Sequence, residues 1–438
     1  MNRDLYKKLL DWKSSSTRRP LILKGTRQVG KSFLLEEFGR NEFPYFHVFN
    51  FEKDKSLAQV FELDLDPEKI LTDLSIHQNE RINSKLDLVI FDEIQDCPRA
   101  LTSLKYFSES MPELAICCAG SLLGVLLSSE SFPVGKVEFQ ELFPMNFSEF
   151  LEALNEELLL EKLESSLETG TISETAHQKL WGCLKEYYVT GGMPQVISEY
   201  ISMRENRFEA MNKARKIQNE LIEGYYRDFA KHSGKTNSMH IVSVFENVPM
   251  QLSNNIEGSV KRYRFKGIIP GKKGFSDLNG PISWLEKAGL ILKVKICNKA
   301  ELPLETFCKN SLFKLYVFDI GLLGCMLELP VEALVTQDYG ITKGYFAENF
   351  VAQEFVSSGL SKLYAWKERN SEIEFLRLID GEIIPVEVKS GQRTQAKSLL
   401  QYILKYAPPS AVKISAKKLN RNKDKLIENY PLYLAGNI

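Results

Sequence analysis

The residues with the clearest chemistry form one run near the N-terminus, Gly25-Thr26-Arg27-Gln28-Val29-Gly30-Lys31-Ser32, which fits GxxxxGK[ST]. Its glycines let the backbone curl so that N–H groups converge on phosphate oxygens, with a helix N-terminus behind them. Lys31 is the expected cation for the β- and γ-phosphates, and the Ser32 hydroxyl an expected ligand of Mg²⁺. Phe33 follows and completes the expected nucleotide-binding run. The motif requires a strand before it and a helix after it; PLILK and FLLEEFG supply both. ATP with Mg²⁺ is the cofactor this pattern predicts.

A carboxylate pair follows in LDLVIFDEIQD. Residues 88–91 read as a buried strand that delivers Asp92 and Glu93 to its C-terminal end, where open parallel sheets bind ligands. Asp92 is expected to hold magnesium, directly or through water, and Glu93 to polarise the attacking water. The pair could instead cap a helix; its place downstream of a phosphate loop favours the catalytic reading. The strand LAICCAG ends in Ser121, placed to touch the γ-phosphate or that water.

These side chains need a scaffold, and the first 145 residues supply the pattern of one. Apolar runs at 20–24, 45–51, 86–91 and 114–119 alternate with helical stretches, which predicts a parallel α/β sheet. In sequence, PYFHVFNFE intervenes between the phosphate-loop strand and the Asp92 strand. That order differs from kinases and points to the branch of P-loop ATPases that includes AAA+ proteins. An amphipathic helix is expected over 147–167, opening a helical stretch to about residue 230. Short helices and then a strand pair are expected over 238–335, where SDLNGPISWLEKAGLI runs into LKVKIC as a helix into a wing strand. The last hundred residues read αβββαβ.

That last segment carries a second cluster. Glu387 and Lys389 lie two apart on a strand and share a face. A turn at Asp380-Gly381 returns Glu374 beside them. Glu348, on the helix of GYFAENFVAQEF, could add a third carboxylate. Such a set can bind a divalent metal and activate water against a phosphodiester. The plainer alternative is a surface hairpin of alternating charge.

The whole-chain figures exclude more than they assign. A net charge of −1 over 438 residues leaves nucleic-acid contact to local patches: residues 258–299 hold ten Lys/Arg against two acids, and 391–438 nine against two. A solvated face is the alternative for both. Seven cysteines without a CxxC pair argue against a disulfide framework or a zinc site. No signal-peptide core and no 18-residue apolar run occurs, so a soluble, cytoplasmic protein without membrane contact is expected.

Taken in order, GTRQVGKS, VIFDEIQ, AGSLLG, PVGKVEFQELFPMNFSEFL, YYVTGGMPQ, LYVFDIGLL, GYFAENFVAQE and PVEVKSG resemble one family along nearly the whole chain. It is the prokaryotic AAA+-like ATPases that carry a C-terminal domain of unknown function with a PD-(D/E)xK nuclease-like fold. The resemblance implies an α/β architecture of four parts. These are an AAA+-like P-loop core (1–145), a helical lid (146–237), a winged-helix-like domain (238–335) and a restriction-endonuclease-like domain (336–438). Lys31 and Ser32 match the nucleotide residues, and Asp92 and Glu93 the hydrolytic pair. Glu374, Glu387 and Lys389 match the nuclease-like motif, with Glu348 as its helix carboxylate. The family usually has Asp where this chain has Glu374, and arginine where it has Lys136.

The expected function is Mg-ATP binding and hydrolysis coupled to a C-terminal domain that binds or cuts DNA or RNA. The alternative is a nucleotide-driven regulatory or scaffold protein whose nuclease-like domain only binds a partner. AAA+-type sites usually sit between subunits, so an ATP-promoted homo-oligomer is expected, with Arg99, Lys136 and Arg227 as candidate arginine-finger cations.

Overall fold

The structure, a computed structural model, describes residues 2–121, 133, 135–253, 262–336, 340, 342–369, 371–391, 396–421 and 425–438. Parts of the sequence motifs therefore lie outside the described residues: Leu122–Gly124 of AGSLLG, and Lys261, Arg393 and Lys423 of the basic runs. The chain divides into two compact units, Asn2–Phe143 and Pro144–Ile438.

The first unit runs α1 (Leu5–Ser14), β1 (Leu21–Lys24), α2 (Lys31–Glu42), β2 (Phe46–Asn50), α3 (Pro67–Gln78), β3 (Leu88–Asp92), α4 (Pro98–Ser110), β4 (Ala115–Ala119) and β5 (Glu138–Glu141). All five strands pair in parallel in the order β2-β3-β4-β1-β5. β3 and β4 are buried along their whole length, which is why their sequences are continuous apolar runs. Phe49, Phe51, Phe61, Phe91 and Phe107 fill one core cluster. β2 intervenes between β1 and β3 in sequence but lies at the sheet edge; β4 separates them in space. β5 escaped the sequence reading because EFQE is four mostly polar residues on the opposite edge.

The second unit opens with α5 (Phe147–Ala153) and α6 (Glu157–Thr169), then α7 (Glu174–Thr190), α8 (Pro194–Ser202), α9 (Arg207–Ser233) and α10 (Lys235–Ser253). The single helix expected over 147–167 is broken after α5, where Asn155 takes a left-handed φ of 57°. Asn146 and Glu149 form a capping box that starts α5. Helix persists beyond the expected residue 230, to the end of α10.

After α11 (Phe275–Lys287) come β6 (Ile291–Cys297) and β7 (Cys308–Val317), the expected strand pair, and then α12 (Ile320–Met326) and α13 (Val331–Thr336). α14 (Thr342–Ser357), β8 (Leu363–Glu368), β9 (Ser371–Ile379), β10 (Glu382–Val388), α15 (Lys397–Tyr406), β11 (Ala411–Ser415) and β12 (Ile427–Pro431) complete the unit. Seven strands form one sheet in the order β12-β11-β10-β9-β8-β6-β7. β6 pairs in parallel with β8, so the sheet crosses the expected 335/336 boundary. β12, with Pro431 and three half-buried residues, is an edge strand with little pattern to read.

The motifs YYVTGGMPQ, LYVFDIGLL and GYFAENFVAQE meet in one buried polar knot. Asp319 accepts from the Gly192 N–H (2.6 Å) and the Leu322 N–H (2.9 Å). Asn349 accepts from the Val317 N–H and donates to its carbonyl, and Gln353 accepts from the Ile320 N–H. Gln353 also donates to the Tyr187 hydroxyl, which in turn donates to the Met145 carbonyl. These side chains fasten buried backbone, which would otherwise leave polar groups unpaired. No helix among the described residues is long and apolar enough to cross a membrane.

Candidate functional site

β1 ends at Lys24 and α2 begins at Lys31; the loop between them needs three left-handed residues, Gly25 (φ 146°), Gln28 (φ 67°) and Gly30 (φ 94°). At Gly25 a Cβ would lie 2.2 Å from the Leu142 carbonyl oxygen, so only glycine fits. Thr26 and Val29, within the loop, are buried. Arg27 Nη2 lies 3.8 Å from Glu52 Oε2, and Phe33, on the first turn of α2, is 60% exposed.

Lys31 is 7% exposed, and its Nζ donates to the carbonyls of Gly25 and Thr26, each at 2.9 Å. Burial lowers its pKa to about 8, against the pull of Glu93 and Asp92. The ammonium is thus held inside the loop, where Glu93 and Asp92 favour its charge.

Ser32 Oγ donates to Asp92 Oδ1 at 2.8 Å, joining the loop to the end of β3. Asn50, opposite Asp92 in the β2–β3 register, donates from Nδ2 to Asp92 Oδ2 at 2.7 Å. A hydroxyl and a carboxylate side by side at a phosphate loop are the oxygen donors that suit Mg²⁺. Asn50 was missed by sequence reading; its position at the end of β2, level with Asp92, was the available signal. Glu93 leaves the strand in a left-handed conformation (φ 51°), with Gln95 Nε2 donating to its Oε2. Burial raises the Glu93 pKa. Ser121 is half-buried, two residues past β4. Of the three finger candidates, Arg99 donates to the Phe61 carbonyl, Lys136 pairs with Glu109 at 2.9 Å, and Arg227 is exposed.

In the second unit the Asp380-Gly381 turn has φ of 50° and 84°, and Ile379 pairs with Glu382. A register shift on the β8–β9 side makes β9 irregular near Glu374. Lys389 Nζ lies 2.9 Å from Glu387 Oε1 and 3.8 Å from Glu374 Oε1, and the Val388 N–H donates to Glu374 Oε2. The three predicted residues are therefore together, with the lysine between the carboxylates. Burial alone would lower the Lys389 pKa; Glu374 and Glu387 raise it instead.

Glu348 has different company. Its Oε2 accepts from the Tyr316 hydroxyl at 2.7 Å and lies 3.5 Å from Lys314 Nζ. Lys314, on β7, is buried and also pairs with Glu372. Burial works against its charge, yet Glu372, Tyr316, Glu348 and Glu374 hold its pKa well above the usual lysine value. Among the described residues no group of three or more His, Cys, Asp or Glu is arranged to hold a metal ion. Of the expected metal set, Glu374 and Glu387 share Lys389, while Glu348 pairs with Lys314. The sequence reading missed Lys314 and Tyr316, because β7 joins this sheet only through β6 and β8.

Residues 17–151 match the family model of an AAA domain. The N-terminal segment carries an AAA domain. Beyond the AAA domain, residues 183–333 match one domain of unknown function (DUF8612), and residues 343–434 another (DUF4143). No curated protein matches the chain. Among solved structures, a variant of Thermotoga maritima RuvB aligns with TM-score 0.34 and 14% identity, over 66% of this chain and 88% of its own. Aeropyrum pernix ORC1 in complex with DNA aligns with TM-score 0.28 and 12% identity, over 75% and 91%. AMPPCP-bound DnaA from Aquifex aeolicus aligns with TM-score 0.29 and 15% identity, over 65% and 86%. These likenesses are slight and add nothing to the AAA match.

Proposed function

We propose that this protein binds Mg-ATP in the 25–32 loop of its AAA domain and hydrolyses it. The observation that carries this reading is the joined set Lys31, Ser32 and Asp92, with Ser32 Oγ 2.8 Å from Asp92 Oδ1. Lys31 exchanges the Gly25 and Thr26 carbonyls for β- and γ-phosphate oxygens, and the loop N–H groups bind the remaining charge. Ser32 and Asp92 would hold Mg²⁺, which would supply charge neutralisation at the phosphates. Glu93 takes the proton of the attacking water; its raised pKa makes its carboxylate a stronger base. Gln95 orients that carboxylate, and Ser121 contacts the γ-phosphate. A steady-state phosphate-release assay tests this: Glu93→Gln should retain ATP binding and lose hydrolysis by at least about a hundredfold. Full hydrolysis by that variant would remove Glu93 from the mechanism.

For the second unit, the pairing of Glu348 and Glu372 with Lys314, a cation outside the nuclease-like motif, favours the scaffold reading. The C-terminal unit serves as a partner-binding module that nucleotide drives, and does not cut nucleic acid. Incubation of DNA and RNA with the full chain, Mg²⁺ or Mn²⁺, and ATP should yield no cleavage. Cleavage abolished by Glu387→Ala would contradict this and restore the nuclease reading.

A further inference from the structure

Arg3 lies 26 residues before the middle of the phosphate loop, yet its guanidinium reaches that loop. Nη1 donates to the Val29 carbonyl at 2.9 Å and Nη2 to the Phe143 carbonyl at 2.5 Å. The side chain is 8% exposed, so both bonds are sheltered from water. Phe143 follows β5, in the segment whose Leu142 carbonyl abuts Gly25. One planar fork therefore ties the far side of the loop to the strand exit beneath its near side.

The Val29 carbonyl and the Gly30 N–H belong to one planar trans peptide and point in opposite directions. Gly30, at φ 94° and without a Cβ, offers little steric resistance to rotation of that peptide. If the carbonyl turned outward, it would face the phosphates and the N–H would be lost to them. We infer that Arg3 is a positioning residue for phosphate binding: by holding the Val29 carbonyl inward, it aims the Gly30 N–H at the nucleotide phosphates. The role rests on the proposed ATP site and extends it to a side chain outside the motif.

The test is titration of Mg-ATP into wild type, Arg3→Ala, Arg3→Lys and Lys31→Ala, each checked for folding by circular dichroism. Loss of a charged hydrogen bond that orients one cradle amide predicts a Kd raised about tenfold in Arg3→Ala. A lysine cannot serve both carbonyls as the fork does, so Arg3→Lys should fall between, about threefold weaker than wild type. The Gly30 amide proton should shift on Mg-ATP addition in wild type and shift less in both Arg3 variants, a signature that a merely structural role would not move. If Arg3→Ala does not fold, Arg3→Lys carries the same two readouts. Wild-type binding that Lys31→Ala weakens but the Arg3 variants leave unchanged would overturn this inference alone. Absence of binding by wild type would overturn the ATP reading and this inference with it.

Discussion

Ser32 Oγ and Asp92 Oδ1 lie 2.8 Å apart although 60 residues separate them in sequence. β4 lies between their strands, so the contact is made above the sheet, from the first turn of α2 to the end of β3. Crossover of the parallel strands brings both to the C-terminal edge, and neither position is free to drift. β3 is buried throughout, and the loop before α2 is fixed by Gly25 against Leu142.

Asn50 holds the other oxygen of Asp92 at 2.7 Å, which fixes the plane of the carboxylate. Asn50→Ala should lower Mg-dependent hydrolysis by about 10- to 100-fold, the scale for partners that orient metal ligands. ATP binding measured in EDTA should stay unchanged. The comparison of the two assays checks it.

Lys31 gives the ATP site a pH dependence. Its pKa in the folded protein is lowered to about 8 from 10.5, so between these values the folded state holds fewer protons than the unfolded one. This group therefore makes the empty protein more stable as pH rises from about 8 to 10.5. Phosphate needs the charged form, so ATP affinity should be level below about pH 8 and fall above it. Calorimetry at pH 9 in two buffers of different ionisation enthalpy should reveal proton uptake on binding, absent in Lys31→Arg.

Lys314 is a buried cation between two carboxylates, and removing it takes that charge from Glu348 and leaves Glu372 with Lys367. Lys314→Met should cost about 3–5 kcal/mol, the range for breaking a buried pair from one side. The double variant Lys314→Met/Glu372→Gln should lose less than the sum of the singles. Chemical denaturation of the three variants measures both.

Gly191 shows the tightness of the polar knot. At φ 67°, with Asp319 Oδ1 2.2 Å from where a Cβ would stand, Gly191→Ala should destabilise by about 2–4 kcal/mol. Burial raises the Asp319 pKa to about 6 from 3.8, so the folded state holds more protons between these values. Stability from this group falls as pH rises through that window. Denaturation of wild type and Asp319→Asn at pH 4 and pH 7 should show the slope in wild type only.

The phosphate loop and the Asp92 strand were legible because motif and burial pattern coincide over a few consecutive residues. The Asp380-Gly381 hairpin was legible for the same reason: its turn chemistry is local. What sequence could not convey is pairing at long range. Arg3 meets Phe143 across 140 residues, and Lys314 reaches Glu372 only because β6 and β8 are neighbours in parallel. Spacing likewise showed that Glu374, Glu387 and Lys389 converge, but not that Lys314 arrives from another strand beside Glu348. In GYFAENFVAQE the sequence reading singled out Glu348 and did not foresee that Asn349 and Gln353 bind backbone.

The proposed ATP site rests on Lys31, Ser32 and Asp92. Isothermal titration of Mg-ATP into wild type and Lys31→Ala tests it most directly. Saturable binding by wild type, weakened at least about tenfold in a folded Lys31→Ala protein, is the predicted result. Equal affinity in the two proteins, or no binding by wild type, would contradict it.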